Sequence, residues 1–286
     1  MISRPHYTLK LHDREVTLGK RTLIMGILNI TPDSFSDGGL FFDTKEALKQ
    51  AHRMIEEGAD IIDVGGESTR PQAEPVSYEE EIKRVIPLIR QLRKETDVMI
   101  SIDTYKSEVA KQALDLGAHI VNDISGLNFD SRMGQVIASY KAAVVVMHIK
   151  GTPSNMQKNP EYKNLTGEIR AYFENSIEHA MDASIPKEQC IIDVGIGFGK
   201  TTFHNLELIR RLGDFQNMGC PVLIGLSRKS FIGNVLNLPV DQRLEGTAAG
   251  VAVSIMNGAH IIRVHDVGFM GRVAKMTDAF LSPENY

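Results

Sequence analysis

Apolar positions fall along this chain in two alternating patterns. Short runs rich in Val and Ile occur at 22–30, 61–65, 99–103, 120–124, 143–148, 191–195, 222–226 and 261–265. Between them the apolar residues recur at three- and four-residue intervals. Runs without polar alternation read as strands buried on both faces, as in a parallel sheet, and the intervening stretches read as amphipathic helices. A small repeat punctuates the pattern: Gly58-Ala59-Asp60-Ile61-Ile62, Gly117-Ala118-His119-Ile120-Val121 and Gly258-Ala259-His260-Ile261-Ile262. In each, the glycine predicts a left-handed residue that ends a helix just before a strand. Asp43-x-x-Glu46 and Ser77-x-x-Glu80 predict two helix starts, with a side-chain acceptor at the N-cap and a carboxylate three residues on.

Eight strands alternating with helices predict an α/β fold, a (β/α)8 TIM barrel. An open doubly wound sheet is the alternative the same alternation permits. Residues 6–19 alternate and break at His12-Asp13, which predicts a short N-terminal β-hairpin under the barrel. No linker or composition shift divides the chain, so residues 1–286 are expected to form a single domain.

The totals then exclude several classes. The 286 residues are 42% hydrophobic with a net charge of −4, enough for a sizeable core and without global attraction to nucleic acid or an anionic membrane. An anionic substrate would need basic residues gathered at the site. Cys190 and Cys220 form no C-x-x-C pair, which argues against a disulfide framework or a zinc site and for a reducing compartment. The N-terminus lacks an apolar signal region, and no run approaches the length of a membrane helix. A cytoplasmic location is expected.

In a barrel of this kind chemistry sits at the C-terminal ends of the strands. Those ends carry Asn29, Asp63 with the GESTRP turn, Asp103, Asn122 with Asp123, Met147 with His148, Asp193, Ser227-Arg228-Lys229-Ser230, and Arg263 with His265. So many polar ends converging on one mouth would destabilise the fold unless a ligand satisfied them. Asp103, Asn122 and Asp193 suit a flat heterocycle with adjacent donors and acceptors. A carboxylate can accept two parallel N–H bonds from an amino-pyrimidinone edge. Lys229, Arg263 and His265 suit phosphate or developing negative charge.

Other features carry bland readings. Gly195 to Thr201 (GIGFGKT) looks like a phosphate loop, but Val194 stands where that motif needs glycine, and Lys200 stands at the third glycine of the dinucleotide fingerprint. Its glycines either let backbone approach a flat ligand or form a tight turn. His148 has no partner at metal-binding spacing and reads first as a buried hydrogen-bonding residue. Met147 is core or ligand wall. The small-residue stretch from Gly246 to Gly258 reads as close packing on the barrel or as a subunit interface.

Taken in order, MGILNITPDSFSDGG, IIDVGGESTRP, SIDT, VNDISG, MHIKGTP, IGFGK, SRKS and RVHD resemble the dihydropteroate synthase family of pterin-binding barrels, over roughly residues 22 to 266. The resemblance implies condensation of p-aminobenzoate with 6-hydroxymethyl-7,8-dihydropterin diphosphate. It implies that Asp103, Asn122, Asp193 and Lys229 hold the pterin and that Met147 is a wall of the site. Arg263 would stack on the ring and, with His265 and Asn29, bind the diphosphate; Asn29 would also help hold Mg2+. Phe35, Thr69, Arg70 and Pro71 would close over p-aminobenzoate, with Phe198 and Ser230 lining its pocket. Asp103, Asp193, Lys229 and Arg263 are the expected catalytic residues. Residues 31–39 would form a lid, with Phe35 as its apolar cover, and a homodimer is expected. Where the family has Asp-Pro-Gly this chain has Asp193-Val194-Gly195. A pterin-binding methyltransferase, a Schiff-base aldolase using Lys229 and a non-catalytic pterin binder are the alternatives; neither SRKS nor the RVHD clamp is needed by the first of these.

Overall fold

The computed structural model describes residues 4–30, 40–69 and 73–285. Strands β1 (Tyr7–Lys10) and β2 (Glu15–Leu18) pair antiparallel, and the chain then enters a closed parallel barrel. Its staves, in both chain and spatial order, are β3 (Leu23–Asn29), β4 (Ile61–Gly65), β5 (Met99–Asp103), β6 (Ile120–Asp123), β7 (Ala143–Met147), β8 (Cys190–Asp193), β9 (Val222–Ile224) and β10 (Ile261–Val264), which closes on β3. Helices α1 (Leu40–Glu56), α2 (Tyr78–Glu95), α3 (Ser107–Asp115), α4 (Met133–Ser139), α5 (Leu165–Asp182), α6 (Thr202–Arg210), α7 (Ser230–Leu236), α8 (Leu244–Met256) and α9 (Val267–Leu281) cover the outside. The architecture is thus a (β/α)8 barrel with an N-terminal hairpin, and the open-sheet alternative is excluded.

Strand parity sorts the side chains. Ile24, Ile62, Ile100, Val121, Val144, Ile192, Val222 and Ile262 point outward into the core shared with the helices. Their neighbours Leu23, Met25, Ile61, Met99, Ile120, Val145, Ile191, Leu223 and Ile261 fill the barrel floor with Leu9, Leu11 and Leu18 of the hairpin. Two or four residues further along six of the strands, the same inward parity brings up Asp63, Ser101 and Asp103, Asn122, Met147, Asp193 and Arg263. The upper barrel is therefore polar because the sequence changes character along the strand, without any change in its alternation.

The repeated glycines end helices as expected. Gly58, Gly117 and Gly258 have φ of +98°, +87° and +100°. In each case the glycine and the following alanine donate back into the last helical turn, Ala59 to Met54, Ala118 to Ala113 and Ala259 to Ser254. The third residue of each repeat then serves the neighbouring strand. The Asp60 carboxylate accepts from the Ile24 N–H (2.8 Å), His119 Nδ1 from Ile100 (3.1 Å) and His260 Nδ1 from Val222 (3.1 Å). Ser77 caps α2 by accepting from the Glu80 N–H, as expected. Asp43 does not cap α1, because that helix already begins at Leu40 and leaves Asp43 inside it. In α8, a Cβ on Gly246 would lie 2.3 Å from Ile232 Cγ2 and one on Gly250 would lie 3.1 Å from Leu226 Cδ1. The small residues on that face are there for close packing.

Candidate active site

At the mouth, register sets neighbours side by side. Asn29 pairs with Gly65, Gly65 with Asp103, and Asp103 with Asn122. Arg263, from the other side of the closure, reaches across: its Nε donates to Asp63 and its Nη2 to Asp103, both at 2.6 Å. Asn122 donates to the same Asp63 oxygen at 3.1 Å. Asp63 is fully buried, and among the described atoms its Oδ1 has no partner. One guanidinium and one amide thus bind together two carboxylates, from β4 and β5, within a desolvated space.

The electrostatics follow from burial. Asp103 is pushed up from the ordinary carboxyl range by desolvation and pulled back by Arg263, with Asp63 adding like-charge repulsion. Asp193 is raised by burial too, against the opposing influence of Lys229 and the Gly195 N–H, which donates to it at 2.8 Å. Lys229 is lowered to about 8, chiefly by burial. Its ammonium lies over the Phe198 ring, 4.7 Å from the centroid, and donates to the Ile196 carbonyl. Met147 is buried with Ile124, Ile149 and Met156, and Tyr105 and Phe198 pack on that cluster. His265 Nδ1 lies 3.0 Å from Ser227 Oγ, which joins the two basic loops. Asn29 Oδ1 is 3.3 Å and Asp103 Oδ2 3.7 Å from where a Cβ on Gly65 would stand, so both side chains gather over this glycine.

Thr69 is half-buried at the end of its described segment, and Ser230 is exposed in the first turn of α7. Phe35, Arg70 and Pro71, and the lid at 31–39, lie outside the described residues. Arg228 belongs to the scaffold: its guanidinium forks onto Asp266, tying the loop after β9 to the loop after β10.

The GIGFGKT segment is a tight turn. A Cβ on Gly195 would fall 1.9 Å from the His148 carbonyl oxygen, and its φ of +66° also requires glycine. Lys200, almost fully buried, anchors the turn by donating to His148 Nδ1 (2.8 Å) and to the Phe198 carbonyl (2.9 Å). His148 is therefore the buried hydrogen-bonding residue expected. Asp63 and Lys200 were given no role by the sequence. Asp63 shares its parity with the floor residue Ile61, a signal that was present; no local pattern points to the Lys200–His148 pair, which is 52 residues apart.

One grouping with metal-ligand composition sits at the opposite end. His12, Asp13 and His119 place a ligand atom each within 4.8 Å of one another. Its chemistry is wrong for a cation. Because His119 Nδ1 accepts the Ile100 N–H, the neutral ring carries its proton on Nε2, which faces Asp13 at 3.3 Å. Arg14 and Arg93 also face that carboxylate.

A fold with this mouth defines a class, and similarity to known proteins places the chain within it. The model of the pterin binding enzyme family matches residues 25–265. The chain belongs to the pterin-binding enzyme family. It is 50% identical over 262 residues to the dihydropteroate synthase of Synechocystis, covering 91% of each chain, and 49% identical over 271 residues to that of Clostridium beijerinckii, covering 94% of this chain and 98% of the other. Among solved structures, dihydropteroate synthase from Clostridium difficile with pteroic acid superimposes with a TM-score of 0.88 at 48% identity, over 92% of this chain and 98% of that one. The Xanthomonas albilineans enzyme in complex with 7,8-dihydropteroate gives 0.87 at 36% identity, over 96% of this chain and 99% of that one. These relatives support a synthase, and none of them supports the methyltransferase reading.

Proposed function

We infer that this protein is a transferase of folate biosynthesis, a dihydropteroate synthase. It condenses p-aminobenzoate with 6-hydroxymethyl-7,8-dihydropterin diphosphate and releases 7,8-dihydropteroate and pyrophosphate. The observation that carries the reading is the union of Asp63, Asp103, Asn122 and Arg263 in one buried network, beside Asp193 and Lys229. That network matches a ring with a donor-rich edge and an anionic tail.

In the mechanism the Asp103 and Asp193 carboxylates and the Asn122 amide bind the pterin edge, and Lys229 donates to its other polar edge. Loss of pyrophosphate precedes amine attack. The C–O bond to the diphosphate breaks, and the electron-rich ring delocalises the positive charge left on the methylene. Buried carboxylates stabilise that charge more strongly than water would. The neutral arylamine then forms the C–N bond and loses a proton. Arg263 and His265 bind the departing anion. Lys229, already donating to the Ile196 carbonyl, orients the ring and is not the nucleophile.

The residues present fit Mg2+. Asn29 offers a hard oxygen donor beside the Asp103 carboxylate, and a magnesium ion that keeps most of its waters needs few protein ligands. When bound, Mg2+ would neutralise charge on the diphosphate. Thr69, Arg70, Pro71, Phe35, Phe198, Met147 and Ser230 are assigned to substrate contacts on the resemblance alone.

A homodimer is supported by the apolar side chains that α6 to α9 leave exposed, among them Phe203, Leu236, Val253, Met276 and Phe280. Two buried, unpaired thiols accord with a cytoplasmic location. Among the described residues no helix is long and apolar enough to cross a membrane.

Mixing both substrates with the protein and measuring pyrophosphate and dihydropteroate in equal amounts tests the reaction. Pterin binding without pyrophosphate release would leave only a binding protein.

A further inference from the structure

Where β4 runs out, the chain is pinned on two sides. Gly65 lies against Asn29 and Asp103, while Gly66 is pressed on α2: a Cβ there would stand 2.8 Å from Val85 Cγ1 and 2.9 Å from Glu81 Cγ. The Gly66 carbonyl accepts from Arg84 Nη1 at 2.9 Å. The next residue, Glu67, is held by side chains from a different loop. Tyr105, just beyond β5, donates its hydroxyl to Glu67 Oε1 at 2.7 Å, and Lys106 donates its ammonium to Oε2. The same ammonium is paired with Glu81 of α2, whose side chain is 1% exposed, and lies 4.7 Å from the centroid of the Tyr105 ring. Tyr105 in turn packs on the Met147 cluster together with Phe198.

This is a costly way to fasten a loop. Two carboxylates share one ammonium in a largely desolvated place, and apolar side chains of similar size would stabilise the fold as well or better. What the charged arrangement adds is direction. Glu67 accepts at both oxygens, from donors whose positions are fixed by the strand that also carries Asp103. The path from Gly65 to Thr69 is thereby registered against the carboxylate that reads the ring.

We propose that Glu67, clasped by Lys106 and Tyr105, is a positioning residue that sets where p-aminobenzoate meets the pterin. The role rests on the proposed function and extends it to residues that touch neither substrate. Misplacing a reactant by a fraction of an ångström lowers its productive binding without altering the site that holds its partner.

Steady-state kinetics on the full chain test it, with both substrates varied and pyrophosphate release measured. Glu67→Gln keeps the shape and leaves Lys106 its Glu81 partner. It should raise the KM for p-aminobenzoate about tenfold while the KM for the pterin diphosphate stays within about twofold. Lys106→Arg should stay near wild type in both constants. Lys106→Met combined with Glu81→Gln leaves Glu67 only its Tyr105 hydrogen bond and should reproduce the p-aminobenzoate shift even if its melting temperature falls. A folded Glu67→Gln protein with unchanged p-aminobenzoate KM, or with both KM values rising together, overturns the proposal. If wild type releases no pyrophosphate, the functional reading fails and the clasp proposal falls with it; if wild type turns over, only the clasp is being judged.

Discussion

The two ends of the barrel are made from the same strands with the same parity, yet they use polar side chains in opposite ways. At the floor, Asp60, His119 and His260 each spend an acceptor on one backbone N–H of a neighbouring strand. The remaining imidazole nitrogens are spent as well, His119 Nε2 on Asp13 and His260 Nε2 on the Pro5 carbonyl. At the mouth, Asp63 holds Arg263 and Asn122 with one oxygen and leaves the other without a described partner. These three floor residues complete their hydrogen bonds within the protein, whereas Asp63 at the mouth keeps an oxygen free for a ligand among the described atoms.

That distinction breaks most easily at the mouth. Asp193→Asn keeps the size and the Gly195 contact but removes the charge that opposes Lys229. It should lower kcat/KM by a factor equivalent to about 2–4 kcal/mol. Its thermal stability should be unchanged or slightly improved, because a desolvated charge has gone. Unchanged kinetics in a folded variant would remove Asp193 from the site and with it the contrast between the two ends.

A second test uses pH. Asp103 is raised by burial, and in the proposed role only its ionised form would accept a pair of N–H bonds from the pterin. Protonation therefore weakens pterin binding as pH falls through the raised value. In the limit, kcat/KM for the pterin diphosphate should fall about tenfold per pH unit on the acid side. In Asp103→Asn the limb should move to that of the remaining raised carboxyl, Asp193, at a lower plateau. An acid limb left in place by the substitution assigns it to a group other than Asp103.

The barrel was legible in the sequence because its signals are local: Val/Ile runs, glycine terminators and a constant alternation. Strand-end polarity was legible for the same reason, since Asp103, Asn122, Asp193 and Arg263 each follow an apolar run. What escaped was pairing. Asp63 is a strand-end residue like the others, but its part in holding Arg263 depends on a contact across 200 positions. Lys200 read as a failed nucleotide loop because sequence shows the glycines and hides the histidine they fold against. Asp43 was misread as a cap because the Asp-x-x-Glu spacing occurs as readily inside a helix, and nothing local marks Leu40 as the start.

At the floor the expected effects are on stability alone. His119→Ala leaves the buried Ile100 N–H without its acceptor, while Asp13 keeps Arg14, and should cost about 1–3 kcal/mol, read by urea denaturation. Its kcat/KM should stay within about twofold of wild type, since it lies a full barrel length from the mouth. A variant that lost activity in proportion to stability at saturating substrate would mean the two ends are coupled.

The smallest effect is a slope. His119 and His260 are held down to about 4, mainly by burial, against an ordinary value of 6.5. In the folded chain they are neutral, as their acceptor role at Nδ1 requires; on unfolding below pH 6.5 they take up protons. Their contribution to stability is therefore complete above pH 6.5 and is lost as pH falls towards 4, with each imidazole adding at most about 1.4 kcal/mol per pH unit of slope. Asp13, held well below the usual carboxylate range first by Arg14, contributes in a lower window and does not confuse the reading. Replacing both histidines by asparagine keeps an acceptor for each strand N–H and removes the titration, so stability between pH 6.5 and 4 should flatten. An undiminished slope in the double variant would assign the acid sensitivity to other groups held neutral in the fold, such as the buried His148, because the raised carboxylates of the mouth act with the opposite sign and cannot produce it. The floor could then no longer be read as finished architecture set against an unfinished site.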